Sequence, residues 1–246
     1  MAAPSSAAAA DGVPPAVPSG VPLLVSLAGQ RVVCVGAGPV ATAKAAPLLA
    51  AGADLIVVSP TASAELAAAA AAGRCRWLTR AYATGDLAGA LLVVAGTDSA
   101  EVNARVAADA AALPALCVRV DAAAGRGLGG SGGDAAVAGT AAFLATVRRG
   151  PLLLAVSTSG QAPTLSRWIR ADLEATYDDA WGDCAALLGE LRRDPGVRAA
   201  LAALPPAERR ARWRSVPVRA IVNLLRNGSF SDAKDVAAAC LSSSSD

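Results

Sequence analysis

The sequence predicts an α/β fold, with a doubly wound parallel sheet in the first half of the chain and a helical region towards its end. Three observations predict it. Short runs rich in β-branched residues alternate with helical stretches between residues 31 and 120, the alternation that builds a parallel sheet. A Gly36-Ala37-Gly38 turn separates the first of those runs from its helix. From about residue 163, apolar residues recur at three- and four-residue steps, the spacing of one helix face.

In chain order, residues 1–21 are rich in Ala, Ser and Pro with Asp11 as their only charged side chain, and read as a disordered leader. Arg31–Val35 is the first strand, the stretch to Ala51 the first helix and Asp54–Val58 the second strand, together one βαβ unit. Ala62–Ala72 reads as helix, Arg76–Thr79 as a short strand and Leu91–Ala95 as a buried one. Ala100–Ala112 as helix and Leu116–Val120 as strand complete a domain spanning 22–122. Gly125, Gly127, Gly129, Gly130, Gly132, Gly133 and Gly139 crowd the next stretch, so residues 123–142 read as a flexible glycine-rich insertion loop. A strand follows at 152–157. A long helical segment from about 163 then carries Ile169, Leu173, Tyr177, Trp181, Cys184, Leu188 and Leu191 on one apolar face. Pro195 and Pro205-Pro206 divide the rest of a helical region over 176–230, with Asn227-Gly228 as its stop, and 231–246 reads as a polar, frayed tail. No apolar run approaches the length of a membrane span.

Composition narrows the chemistry. The 246 residues include no histidine, which excludes Ser-His-Asp and Cys-His nucleophile systems, H-E-x-x-H zinc sites and histidine proton shuttles. Acid–base work falls to carboxylates, a cysteine, Tyr82 or Tyr177, or the two lysines, Lys44 and Lys234. A Tyr-x-x-x-Lys pair is absent, since Asp86 follows Tyr82 at that spacing and Trp181 follows Tyr177. Cys34, Cys75, Cys117, Cys184 and Cys240 are odd in number and contain no C-x-x-C pair. They indicate neither a disulfide framework nor a thiolate metal cluster, and suit a reducing compartment. A net charge of +2 gives no general attraction to nucleic acid or an acidic membrane. The arginines between 192 and 226, around Trp213, read as solvated helix faces rather than an RNA surface.

Gly36-x-Gly38-x-x-Ala41 lies between a strand and a helix, as a dinucleotide fingerprint requires. The first glycine permits the tight turn, and the second lets backbone approach a pyrophosphate resting on the helix start at Pro39 and Val40. The same glycines would also serve a plain close crossing of helix and strand. Where an acid commonly reads the ribose hydroxyls, the chain has Ser59-Pro60-Thr61, neither acid nor arginine, so these residues leave NAD and NADP undecided. Thr97, Asp98 and Asn103 follow the fourth strand and face the cofactor crevice, although Asp98 reads equally well as the cap of the helix beginning near Ala100. Ser157-Thr158-Ser159-Gly160 precedes a helix and offers hydroxyls and N–H groups suited to substrate carboxylates. Arg167 and Arg170, one turn apart, suit the same polyanion or a solvated face. Asp121 ends its strand at the edge where ligands of open α/β sheets bind, and is a candidate base. Gly129-Gly130-Ser131-Gly132-Gly133 matches G-x-S-x-G in letters only, since it lies in a glycine-rich loop with no histidine to activate the serine.

Several of these motifs, in order, carry a resemblance. Val-Gly-Ala-Gly-Pro-Val-Ala at 35–41 with Lys44, Gly52-Ala53, Val58-Ser59-Pro60, Ala95-Gly96-Thr97-Asp98 with Asn103, Val120-Asp121, and Ala155 to Pro163 with Arg167 and Arg170 together resemble the siroheme synthase dehydrogenase family. That family is precorrin-2 dehydrogenase, also found as the N-terminal module of multifunctional siroheme synthases. The resemblance implies oxidation of precorrin-2 to sirohydrochlorin with NAD as hydride acceptor and Asp121 as general base. It also implies a homodimer, in which a Rossmann domain is followed by a dimerisation and substrate segment, here 143–175, that contributes strands, with the active site in the cleft between domain and helical part. Some members also insert Fe2+, and no metal ligand is assigned to this chain. Two other readings stand beside it: an NAD(H)-sensing module without tetrapyrrole chemistry, and a chelatase using the same cleft without NAD. The leader suits a plastid if the source is a plant or alga, and the cytoplasm otherwise.

Overall fold

The computed structural model describes residues 20–120 and 139–242. The chain divides into two units, the first running to Phe143 and taking in Ser159–Gln161, the second holding Leu144–Thr158 and the chain from Ala162 onward.

In the first unit the strands β1 (Arg31–Val35), β2 (Asp54–Val58), β3 (Arg76–Leu78), β4 (Leu92–Ala95) and β5 (Leu116–Arg119) form one parallel sheet in the order β3-β2-β1-β4-β5. Helices α1 (Pro39–Ala50), α2 (Ala64–Ala71) and α3 (Ala100–Ala111) make the crossovers. Strands covered on both faces read as unbroken apolar runs, and β4 is buried at every position. Successive side chains alternate between faces. Val32, Cys34, Leu55, Val57 and Val94 therefore share one core with Ala41 and Leu48 of α1 and Leu66 of α2. Val33, Val35, Ile56, Val58 and Val93 share the other with Val106 and Ala110 of α3. Val35 pairs with Val58 on one side and Ala95 on the other, so the loops leaving β1, β2 and β4 all emerge at one edge.

After the undescribed residues 121–138, the chain runs beside β5. The Ala141 N–H donates to the Cys117 carbonyl at 3.0 Å and the Thr140 hydroxyl accepts from the Cys117 N–H at 2.9 Å. Phe143 packs against the first core, with the Lys44 ammonium 5.1 Å from its ring centre. The expected loop over 123–142 thus has its last residues, 139–142, in the sheet domain; the rest of it, like the leader up to residue 19, lies outside the described residues.

The second unit opens on an antiparallel hairpin of β6 (Ala145–Arg149) and β7 (Leu152–Val156), turned through Gly150 at φ +50° and Pro151. Six helices follow: α4 (Pro163–Thr176), α5 (Asp179–Arg193), α6 (Pro195–Ala202), α7 (Pro206–Ser215), α8 (Val218–Arg226) and α9 (Phe230–Ser242). Two expectations are corrected here. The long helical segment is two helices, because Asp178 takes an extended conformation and the Arg149 guanidinium donates to the last carbonyls of α4, Glu174 at 3.2 Å and Tyr177 at 3.0 Å. Residues 230–242 are not a frayed tail: Ala233, Ala237 and Leu241, one turn apart, are buried against Ile221, Val222 and Leu225. The stop at Asn227-Gly228 holds, with Gly228 at φ +78° and the Ser229 N–H closing onto the Leu224 carbonyl at 2.9 Å.

Candidate functional site

The sheet order reverses between β1 and β4, and at such a switch point the loops leaving the two strands diverge and open a crevice at their carboxyl ends. Gly36–Gly38 and Gly96–Asp98 are those two loops. Gly36 has φ +101°, and a Cβ there would run into the Gly96 carbonyl and come within 2.9 Å of the Thr97 nitrogen. A Cβ on Gly96 would lie 2.6 Å from Val120 Cγ2 and 3.4 Å from the Ala41 Cβ, so the small residue at Ala41 lets helix and strands close together.

Gly38 is different. Its φ of −71° and ψ of 179° suit any residue, and a Cβ there would meet no protein atom within 4 Å. Nothing among the described residues requires a glycine at this position, and its small size leaves room for a ligand to approach closely. Gly38 is also the N-cap of α1 without a side-chain cap, and Pro39 follows, so the first-turn amides of Val40 and Ala41 have no intrahelical acceptor. Val40 is 55% exposed while Ala41 is buried. The residues present therefore fit a dinucleotide pyrophosphate.

The neighbouring loops complete this edge. Ser59 is buried, its carbonyl accepting from the Trp77 indole at 2.9 Å and its N–H donating to the Leu78 carbonyl, while Pro60 and Thr61 are exposed. Asn103 is fully buried. Its Oδ1 accepts from the Thr97 N–H at 3.0 Å and the Thr97 hydroxyl at 2.8 Å, and its amide donates to the Thr97 carbonyl at 2.9 Å. Asn103 thus shapes the loop from behind. The cap of α3 is Ser99, accepting from the Val102 N–H at 3.2 Å, which corrects the capping role considered for Asp98. Asp98 is exposed at the crevice, with no hydrogen bond or ion pair among the described residues. Asp121, the candidate base, lies outside the described residues; its predecessor Val120 closes the ladder at this same edge, its N–H donating to the Ala95 carbonyl at 2.9 Å.

Burial disfavours ionisation of four cysteines and of Tyr82. It pushes the Cys34 thiol up to about 12 and the Cys117 thiol up to about 11, Arg119 only partly opposing the latter. Cys75 and Cys184 are raised by burial too. Tyr82 is held neutral, first by burial and then by donating to Asp109 at 2.6 Å. Asp86, the acid nearest it in sequence, is held by a two-pronged pair with Arg80 at 2.6 and 2.7 Å.

The residues read as substrate-binding gather around the turn before α4. Ser157 is exposed. The Thr158 hydroxyl pairs with Ser166 Oγ at 3.0 Å and accepts from the Ala162 N–H at 3.2 Å, so it braces the helix start. Ser159 at φ +53° and Gly160 at φ +78° are consecutive left-handed residues, a cost for the serine that folds keep at sites needing a fixed turn. Arg167 is exposed on α4, whereas Arg170 pairs with Glu174 at 3.0 Å. The residues missed by sequence reasoning are Thr42 and Ser63. The signal for Ser63 was a serine directly before an alanine-rich helix, whose Leu66 N–H it caps at 3.2 Å.

Known proteins share stretches of this sequence. Residues 23–126 match the family described as Putative NAD(P)-binding, and residues 149–176, from Arg149 to the end of α4, match Sirohaem biosynthesis protein central. The siroheme synthase of Pseudomonas putida (strain W619) is 43% identical over 172 residues, 70% of this chain and 34% of that protein. Over that stretch the chain is similar to siroheme synthases. The siroheme synthases of Chromobacterium violaceum and Azotobacter vinelandii are 38% and 35% identical, each over 87% of this chain and 42% of the relative. The chain thus spans between a third and a half of the length of the relatives it matches. The structure of SirC, precorrin-2 dehydrogenase, superposes with a TM-score of 0.61 at 24% identity, covering 88% of this chain and 96% of that one, which shows the shared fold. Among the described residues no helix is long and apolar enough to cross a membrane.

Proposed function

We propose that this chain is an NAD-dependent precorrin-2 dehydrogenase that makes sirohydrochlorin in siroheme biosynthesis. The observation that carries the reading is the coincidence of an NAD(P)-binding glycine turn, with Gly38 free of any structural need to be glycine, and a sirohaem-biosynthesis segment in the same chain. When bound, NAD+ supplies the hydride acceptor. The amides of Gly38, Val40 and Ala41 hold its pyrophosphate, Ser59, Pro60 and Thr61 border its ribose, and the loop of Thr97 and Asp98, set by Asn103, lines the crevice. Asp121, which follows Val120 in the sequence and has no histidine rival in the chain, takes the proton that precorrin-2 loses. Ser157, Thr158, Ser159 and Gly160 with Arg167 and Arg170 hold substrate carboxylates.

The working unit is a homodimer. Helix α4 has no buried residue, and Leu165 and Trp168, three apart on one face, are 49% and 67% exposed. In the hairpin before it only Val147 is buried. A second copy covers this face through a two-fold contact. The bacterial relatives favour the cytoplasm over a plastid. The test is to supply anaerobic precorrin-2 with NAD+ or NADP+ and follow sirohydrochlorin absorbance. NAD+-dependent product supports the assignment. Tight NAD+ binding without product would instead favour the sensing module.

A further inference from the structure

Two hydroxyls behind the glycine turn are joined to it by a directed chain of hydrogen bonds. The Thr42 hydroxyl lies 2.9 Å from the Gly38 carbonyl oxygen and 2.9 Å from Ser63 Oγ. A threonine hydroxyl carries one proton, and a carbonyl can only accept. With that proton on the Gly38 carbonyl, the contact between the hydroxyls must run from Ser63 to Thr42. Ser63 Oγ in turn accepts from the Leu66 N–H at 3.2 Å, so the order is Leu66 N–H, Ser63, Thr42, Gly38 carbonyl. The Ser63 backbone adds a second tie, its N–H donating to the Ala37 carbonyl at 3.1 Å. Both peptides flanking Gly38 are thereby fixed. A trans peptide points its C=O and N–H in opposite directions, so anchoring the Ala37 carbonyl on Ser63 turns the Gly38 N–H away from α2.

We propose that Thr42 and Ser63 are positioning residues for the dinucleotide, a hydroxyl relay that presets the Gly38 amide and the first-turn amides of α1 for the pyrophosphate. This rests on the glycine turn being the NAD site. Neither side chain touches the ligand. Thr42 is 8% exposed and Ser63 caps α2, so both act through the backbone of residues 37 and 38. The relay also ties the loop after β2 to the loop after β1, so pyrophosphate and ribose contacts are set as one piece.

The experiment measures NAD+ affinity of the purified chain, without tetrapyrrole, by calorimetry, alongside thermal melts. Thr42→Val keeps the shape and removes the relay, and weakens NAD+ binding about five- to tenfold, the size of one hydrogen bond lost from a preset site. Thr42→Ser restores the hydroxyl and the affinity. Ser63→Ala weakens binding to the same extent and lowers the melting temperature further, because a helix cap is lost. The double variant binds no worse than either single one, since both cut the same chain, while its losses in melting temperature add. If Thr42→Val melts below the assay temperature, Ser63→Ala and Thr42→Ser carry the comparison. Affinities that stay at the wild-type value in Thr42→Val and Ser63→Ala, or losses that multiply in the double variant, overturn the relay. Gly38→Val separates the two levels: if it blocks NAD+ while the hydroxyl variants do not matter, the relay alone fails. If Gly38→Val binds as wild type, the site assignment fails.

Discussion

The two glycines of the turn carry opposite demands, and substitution of each by alanine separates them. Gly36→Ala places a Cβ at φ +101° against the Gly96 carbonyl and 2.9 Å from the Thr97 nitrogen, both backbone atoms that cannot swing aside. Strained backbone costs about 1–3 kcal/mol and overpacking about 1–3 kcal/mol, so the fold should lose about 2–6 kcal/mol. Gly38→Ala meets no atom within 4 Å at φ −71°, so the fold should lose nothing and gain up to about 1 kcal/mol from a stiffer unfolded chain. Urea unfolding followed by circular dichroism reads the first quantity, and NAD+ titration of the folded proteins reads the second. Gly38→Ala, and more severely Gly38→Val, should unfold at or above the wild-type midpoint yet bind NAD+ at least about tenfold more weakly, because a side chain stands where the pyrophosphate approaches. A Gly38→Ala protein destabilised like Gly36→Ala, or one that binds NAD+ as tightly as wild type, would refute the division of labour.

Other outcomes follow from the same structure. Asp121→Ala should lower turnover about 10²- to 10⁴-fold while leaving the NAD+ dissociation constant unchanged, as read by steady-state kinetics and calorimetry. Trp168→Glu should turn a dimer into a monomer on analytical ultracentrifugation, since each copy loses about 1.5–3 kcal/mol of apolar burial at a two-fold contact; wild type sedimenting as a monomer sinks the dimer. Cys34 in the fold titrates near 12 against its ordinary 9.0, so its contribution to stability is whole below pH 9 and is lost as pH climbs towards 12. At pH 8 the buried Cys34 stays a thiol, so iodoacetamide should leave it unmodified in native protein, and rapid native labelling by mass spectrometry would contradict its burial.

Most of the first unit was legible in the sequence because strands buried on both faces cannot hide: the runs at 32–35, 55–58 and 92–95 are uninterrupted apolar stretches, and glycine marks the turn. The second unit was less so. Its apolar spacing passes through Tyr177 and Asp178 without a break, and the break depends on Arg149, distant in sequence, satisfying carbonyls that a continuous helix would have kept to itself. β6 escaped notice for a related reason: in Ala145–Arg149 only Val147 is buried, so no alternation announces a strand. Helix α9 hides its packing in alanines, whose burial at 233 and 237 leaves no apolar periodicity strong enough to distinguish a helix from an alanine-rich tail. In the site, the fingerprint glycines were evident but their unequal roles were not, because φ and close approach to Gly96 are properties of the folded chain. Ser99 rather than Asp98 caps α3 although both residue types favour caps, a choice decided by one residue of register.

Counting both products in one anaerobic cuvette tests whether this chain moves a hydride from precorrin-2 to NAD+. The account predicts that NADH and sirohydrochlorin appear in equal amounts and at equal rates with the wild-type chain, and that Gly38→Val abolishes both. Sirohydrochlorin forming without NADH, or NAD+ binding with neither product formed, would contradict it.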